Sequence, residues 1–269
     1  MKVAESLLLA CVVGLACFIG GQTLGLRHGI VHSVSAGAIA YAPSTNVVDI
    51  AANESFGITS PVARVSAAAP DIHLPARSMS ARDVRQRIAQ GAGGTYIAEL
   101  LAARDSAITR WPDRVLHPLR VWIADAEGVH GWNADFAPSV RDAFQAWVSV
   151  GIPIRFDFIA DSTSADVHVR FIERFPNGIS GKTVWSRDVS WWLVSSEIEL
   201  ALLHPNGGTV TAPQMRAIAM HEVGHLLGLD HSRTSNDIMN AHVHMRELSE
   251  ADRATVRLLY SVPAGSIRN

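Results

Sequence analysis

Only two cysteines, Cys11 and Cys17, occur in 269 residues, and both lie in the first apolar stretch. The rest of the chain has no thiol, which excludes a disulfide framework there. Charge of one sign is also missing. The chain has 23 Lys and Arg against 25 Asp and Glu, a net charge of −2, no basic block, and scattered arginines. This balance argues against nucleic acid as the main partner. The length suffices for one substantial domain with accessory segments.

The amino terminus carries what long apolar run there is. Lys2 precedes a stretch from Leu7 to Gly21 that is almost wholly apolar or small. Residues 1–26 therefore read as a signal peptide or a membrane anchor. The run lies between a signal core of about 7–15 residues and a spanning helix of about 20. Small-x-small sites follow only at Val34-Ser35-Ala36 and Ala38-Ile39-Ala40, which keeps an uncleaved anchor open. Arg27 answers Lys2 on the far side, so charge does not set orientation. Both readings carry the remainder out of the cytoplasm, as a secreted or membrane-anchored protein.

Residues 27–110 read as a linker or pro-segment. Pro43, Pro61, Pro70 and Pro75 interrupt an Ala-, Ser- and Val-rich stretch up to about 79. Helices are expected near 80–90 and 96–110, separated by Gly91-Ala92-Gly93-Gly94, with Ile97, Leu100, Leu101, Ile108 and Trp111 as an apolar stripe. A domain is expected over 111–262, with 263–269 as a tail. Leu119, Val121 and Ile123 alternate as in a half-buried strand, and Ile154-Phe156-Phe158, Val167-Val169-Phe171 and Ile198-Leu200-Leu202 repeat the pattern. Pro138 to Val150 reads as a helix stopped by Gly151. The combination is α+β.

Thr211-Ala212-Pro213-Gln214 is a capped helix start, which places a helix over 212–227. Within it, His221 and His225 stand four apart, so both rings face one point. His231 completes three imidazoles only if the chain turns, and Gly228 supplies the left-handed residue for that turn. Three neutral imidazoles with an open fourth position suit catalytic zinc, and Glu222 beside the first ligand is the natural general base. The other candidates for a third ligand are Glu247 and Glu250. The competing structural reading is an amphipathic core helix with satisfied histidines.

His221-Glu222-x-x-His225-x-x-Gly228-x-x-His231, followed by Asp237-Ile238-Met239, resembles the metzincin zinc endopeptidases with their Met-turn. Ser232 and the run Leu248-Ser249-Glu250-Ala251-Asp252-x-x-x-Val256-x-x-Leu259-Tyr260 resemble the matrixin branch and its closing helix. The resemblance implies a twisted, mostly parallel sheet of about five strands with a helix before it, the active-site helix after it and a C-terminal helix. It implies His221, His225 and His231 as ligands of one catalytic zinc ion, Glu222 as catalytic base and Met239 as apolar floor. It further implies that a protein or peptide substrate pairs with an edge strand around Thr183, Val184 and Trp185. Trp191 and Trp192 are further cleft candidates, although packing explains each tryptophan as well.

The chain departs from that family in two places. Many matrixins are silenced by a propeptide cysteine, and none exists outside Cys11 and Cys17. A Pro commonly stands two residues after the Met, whereas this chain reads Met239-Asn240-Ala241-His242. His242 and His244 read as loop histidines, and His168 and His204 as surface or structural ones. A calcium site is unsupported: Asp157, Asp161, Asp166 and Glu199 offer oxygen but read as solvated strand ends. The expected activity is zinc-dependent endopeptidase, with a noncatalytic zinc-containing adhesion module and a hydrolase of non-protein substrates as rivals.

Overall fold

Three alternating apolar runs become adjacent parallel strands in the computed structural model, which describes residues 79–268 and the backbone of 33–39. In chain order the elements are β1 (Ser33–Ile39), α1 (Ala81–Gly91), α2 (Ile97–Ala103), β2 (Ala107–Ile108), β3 (Arg114–Ile123), α3 (Phe136–Val148), β4 (Ile154–Phe158) and β5 (Val167–Ile172). Then come β6 (Gly181–Arg187), β7 (Leu193–Ala201), α4 (Ala212–Leu226), α5 (Glu250–Tyr260) and β8 (Gly265–Ser266). The main sheet has the order β1-β6-β7-β5-β3-β4. Strands β4, β3, β5 and β7 run parallel, while β6 is antiparallel to β7 and β1 antiparallel to β6. The fold is α+β, and the sheet has six strands rather than five because β1 adds itself beyond β6. The expected leader over 1–26 and most of 27–79 lie outside the described residues. Among the described residues no helix is long and apolar enough to cross a membrane.

Register follows the apolar alternation. Val121 stands opposite Val167, Val169 opposite Ile198 and Phe171 opposite Leu200, so one sheet face is continuously apolar. Helices α3 and α4 are tied by the Trp147 indole, which donates to the Met220 carbonyl at 2.8 Å. From Ala217 to Leu226 every residue of α4 is buried, the histidines and Glu222 included. A helix buried on all sides must satisfy its last carbonyls from outside. Trp111 Nε1 donates to Leu226 O at 2.8 Å, and the Tyr260 hydroxyl donates to Leu227 O at 3.1 Å.

Packing does not break at residue 111. Val84, Ile88, Tyr96, Ile97 and Leu100 enter the same core as Leu258 and Leu259. The helix expected over 96–110 ends at Ala103, because Asp105 (φ 55°) and Ser106 (φ 60°) are left-handed and cannot continue a right-handed helix. The chain then extends into β2, which pairs with β8. The expected tail is therefore held: Ile267 N donates to Ser106 O at 2.9 Å, and Arg85 Nη1 donates to Ile267 O at 2.8 Å. Leu100 is fully buried in this seam. Leu100→Ala should cost about 2–5 kcal/mol in urea unfolding while leaving one transition. Two resolved transitions would mean that α1 and α2 fold apart from the sheet.

Candidate metal centre

Thr211 starts α4 as expected, its N–H donating to Gln214 Oε1 at 2.8 Å across a capping box. The helical spacing brings His221 Nε2 to 2.9 Å from His225 Nε2. Helix α4 stops at Leu226, and Gly228, at φ 97°, reverses the chain. Gly228 N donates to His225 O and Leu229 N to Gly224 O, both at 3.0 Å, a complete Schellman motif. A side chain at 228 would be strained by that φ and would also strike Thr109 O. The reversal delivers His231. Ligand atoms of His221, His225 and His231 all lie within 4.8 Å of one another, the one such cluster of three among the described residues.

The chemistry of this set fits zinc. His221 Nδ1 lies 2.7 Å from Ile238 O and His225 Nδ1 lies 3.1 Å from Leu229 O. Each Nδ1–H thus donates to a carbonyl, which leaves Nε2 as the lone-pair atom turned toward the cluster. Burial, reinforced by the neighbouring imidazoles, holds both rings well below the usual histidine range and therefore neutral, the form that ligates. Two nitrogens on a tetrahedral zinc, each about 2.0–2.1 Å from it, stand about 3.3 Å apart. The observed 2.9 Å is within easy relaxation of that spacing.

Glu222 is fully buried beside the imidazoles. The Thr183 hydroxyl donates to its Oε2 at 2.5 Å, while Oε1 has no hydrogen-bond partner. Burial pushes the carboxyl up to about 8, with the Thr183 bond pulling the other way. Gly181, also on β6, makes room for it: a methyl there would overlap the Glu222 carboxylate. Sequence reasoning placed Thr183 at the substrate edge and missed its bond to Glu222, a contact made between distant strands and helices.

Met239 is fully buried against the other flank of α4. A methyl on Gly224 would overlap Met239 Sδ, so the glycine between the two helical histidines is where the floor residue seats. The turn is held from below by Asp252, whose carboxylate accepts from Ile238 N at 2.8 Å, Met239 N at 3.4 Å and Ser249 N at 2.8 Å. Asp237 accepts from the Ser232 and Ser249 hydroxyls at 2.5 and 2.7 Å, and Ser232 N donates to Met239 O at 2.9 Å. Asp252 and Gly224 were not singled out from sequence. Their only sequence signal is position inside the two quoted motifs.

The remaining candidates separate clearly. Val184 is half-buried on β6, whereas Trp185 is buried, its ring 5.3 Å from the Arg104 guanidinium carbon. Trp191 stacks under Arg187 and Trp192 under Arg110. Glu247 pairs with Arg216 at the surface, and Glu250 is exposed in the first turn of α5, which removes both as third ligands. His242 and His244 are exposed. His168 Nε2 lies 2.8 Å from Ser162 O, and His204 is buried near Gln214. Asp166 is engaged by Arg120, and Asp161 caps a 3-10 turn. Because ligand placement depends on the reversal, Gly228→Ala should destabilise the fold by at least about 1–2 kcal/mol. It should also weaken zinc binding in chelator competition; an unchanged zinc affinity would sever the turn from the site.

Comparison with known proteins agrees with this geometry. The Matrixin family model matches residues 173–261. A metalloendoproteinase, 1-MMP, of Arabidopsis thaliana is 29% identical over 148 residues, covering 48% of this chain and 38% of that protein. Matrix metalloproteinase-C of Caenorhabditis elegans is 26% identical over 164 residues, covering 54% of this chain and 26% of that protein. The chain thus spans well under half the length of these relatives. The site and the match fall on the same residues, and the chain carries a matrixin-like catalytic domain.

Proposed function

We propose that the chain is a zinc-dependent endopeptidase that hydrolyses peptide bonds of exported or extracellular protein substrates. His221, His225 and His231 would hold the ion. Zinc bound there supplies a Lewis acid that acidifies water and polarises a substrate carbonyl. The protein's own contribution is proton handling. The charge of a bound ion would offset the burial that raises the Glu222 carboxyl. Oε1 would then take a proton from the attacking water and later return it to the leaving amine, while Thr183 fixes Oε2. Glu222 is fully buried, with Gly181 and Thr183 of β6 packed against its carboxylate, which keeps bulk water from it.

An extended peptide would lie along β6, with Thr183 and Val184 presenting backbone to it. The antiparallel ladder that β6 already forms with Ser33–Ile39 supports this, since the same side accepts an extended segment. It also changes the expectation from sequence, in which β6 was an open edge. The apolar amino terminus supports export, as a secreted or membrane-tethered protein.

One observation favours this reading over a noncatalytic binding module: the buried Glu222, next in sequence to the ligand His221, with one oxygen held and the other without a hydrogen-bond partner. A closed structural zinc site has no use for such a base. Chelator should abolish cleavage of casein or a peptide library, and added zinc should restore it. Glu222→Gln should keep one zinc per chain and lose about 10²–10⁴-fold in turnover. Full turnover in that variant would sink the mechanism, and zinc without cleavage of any peptide would select the binding module. Gly181→Ala, which crowds the same carboxylate, should lower turnover with zinc retained; wild-type rates would show that Glu222 tolerates displacement.

A further inference from the structure

We propose that Arg104, at the end of α2 and outside the family-matched residues, is a positioning residue that fixes the turn carrying the third metal ligand and the backbone acceptor of the second. This inference rests on the metal-centre reading and extends it to a residue that precedes the expected catalytic domain. Arg104 Nη1 donates to Gly228 O at 2.7 Å and Nη2 to Leu229 O at 2.9 Å, while Nε stands 3.5 Å from Asp230 Oδ2. The polar contacts of its side chain thus fall on three consecutive residues, the ones just before His231.

The arrangement is not that of a surface ion pair. The Arg104 side chain is 6% exposed, and its guanidinium faces the Trp185 ring on β6. Burial lowers its pKa, with Asp230 opposing, so the charge is held in the interior at a cost. A buried cation persists only where its donors are matched, and the planar fork of arginine fits two adjacent carbonyls as a lysine ammonium does not. The matched carbonyls lie in the turn just past the C-terminus of α4, the end of a helix near which its dipole favours a cation.

The connection to the metal runs through one atom. Leu229 O receives both Arg104 Nη2–H and His225 Nδ1–H, using its two lone pairs. The carbonyl that fixes the His225 tautomer is therefore itself fixed by Arg104. On the other side, Asp230 Oδ1 accepts from His231 N at 2.8 Å, so the carboxylate beside the guanidinium also orients the third ligand's backbone. Two of three ligands are thus braced by one side chain 124 residues upstream of Gly228. Partners of this kind, one bond behind the ligands, set metal affinity by about 10–100-fold.

The test is zinc affinity of the full-length protein by competition with a chromophoric chelator, read beside thermal unfolding of the metal-free form. Arg104→Met should weaken zinc by about 10–100-fold. Arg104→Lys, which keeps the charge but not the fork, should still weaken it by about tenfold. Arg85→Ala removes a bond from the same amino-terminal region to Ile267 O, far along the chain from the ligands, and should lower stability with zinc affinity unchanged. Wild-type affinity in folded Arg104→Met, or in Arg104→Lys should the Met variant not fold, overturns the proposal. An equal loss in Arg85→Ala also overturns it, by making the effect one of general stability. Absence of zinc binding in the wild type would instead remove the metal reading, and this proposal with it.

Discussion

Three imidazoles must be uncharged, desolvated and aimed at one point, and nearly every unusual contact in this protein serves one of those conditions. For His221 and His225, burial in α4 supplies the first two, because a histidine without water around it sheds its proton. Aim is harder, since a ring free to rotate about two bonds does not hold a ligand atom in place. Here each helical histidine has its Nδ1–H tied to a backbone carbonyl, and each of those carbonyls belongs to a segment that is itself tied: Ile238 by Asp252, Leu229 by Arg104. The helix alone would give two ligands, and the left-handed Gly228 adds the third.

Legibility from sequence tracked the range of the interaction. The spacing of His221 and His225, the cap at Thr211, the reversal at Gly228 and the start of α5 at Ser249 are local consequences of helix geometry and were readable without a fold. Strands β3, β4, β5 and β7 were equally readable from their period of two, whereas β6 was expected only from the resemblance and β1, β2 and β8 were not expected. Strand β3 begins at Arg114, ahead of its alternating part, because Arg114 already pairs with Ile154. What was hidden depends on residues far apart. Gly224 is explained only by Met239, Gly181 only by Glu222, and Thr183 only by the carboxylate it holds. Two consecutive left-handed residues, Asp105 and Ser106, ended α2 early without any glycine to announce it.

The amino-terminal helices show why composition is a poor guide to domain limits. A proline- and alanine-rich stretch followed by a glycine cluster reads as a connector, yet the helices around that cluster place Val84, Ile88, Tyr96 and Leu100 in the common core. Tyr96 contributes more than area: its N–H donates to Thr255 Oγ1 at 3.1 Å and its hydroxyl to Asp252 Oδ1 at 3.0 Å, the carboxylate that carries the Met-turn. Burial and the Asp252 charge push this phenol well above its usual range, so it stays a donor. The support of the site is therefore shared between Tyr96, at the start of α2, and α5.

The ladder between β1 and β6 has a thermodynamic consequence. Ser33 to Ile39 occupy, from within the same molecule, the strand side proposed above to take an extended peptide. A covalently attached rival has a local concentration that dilution cannot lower. Any peptide seeking that side then shows an apparent dissociation constant divided by the fraction of molecules in which the side is open. Such competition would act through backbone hydrogen bonds alone, in a chain with no cysteine beyond position 17.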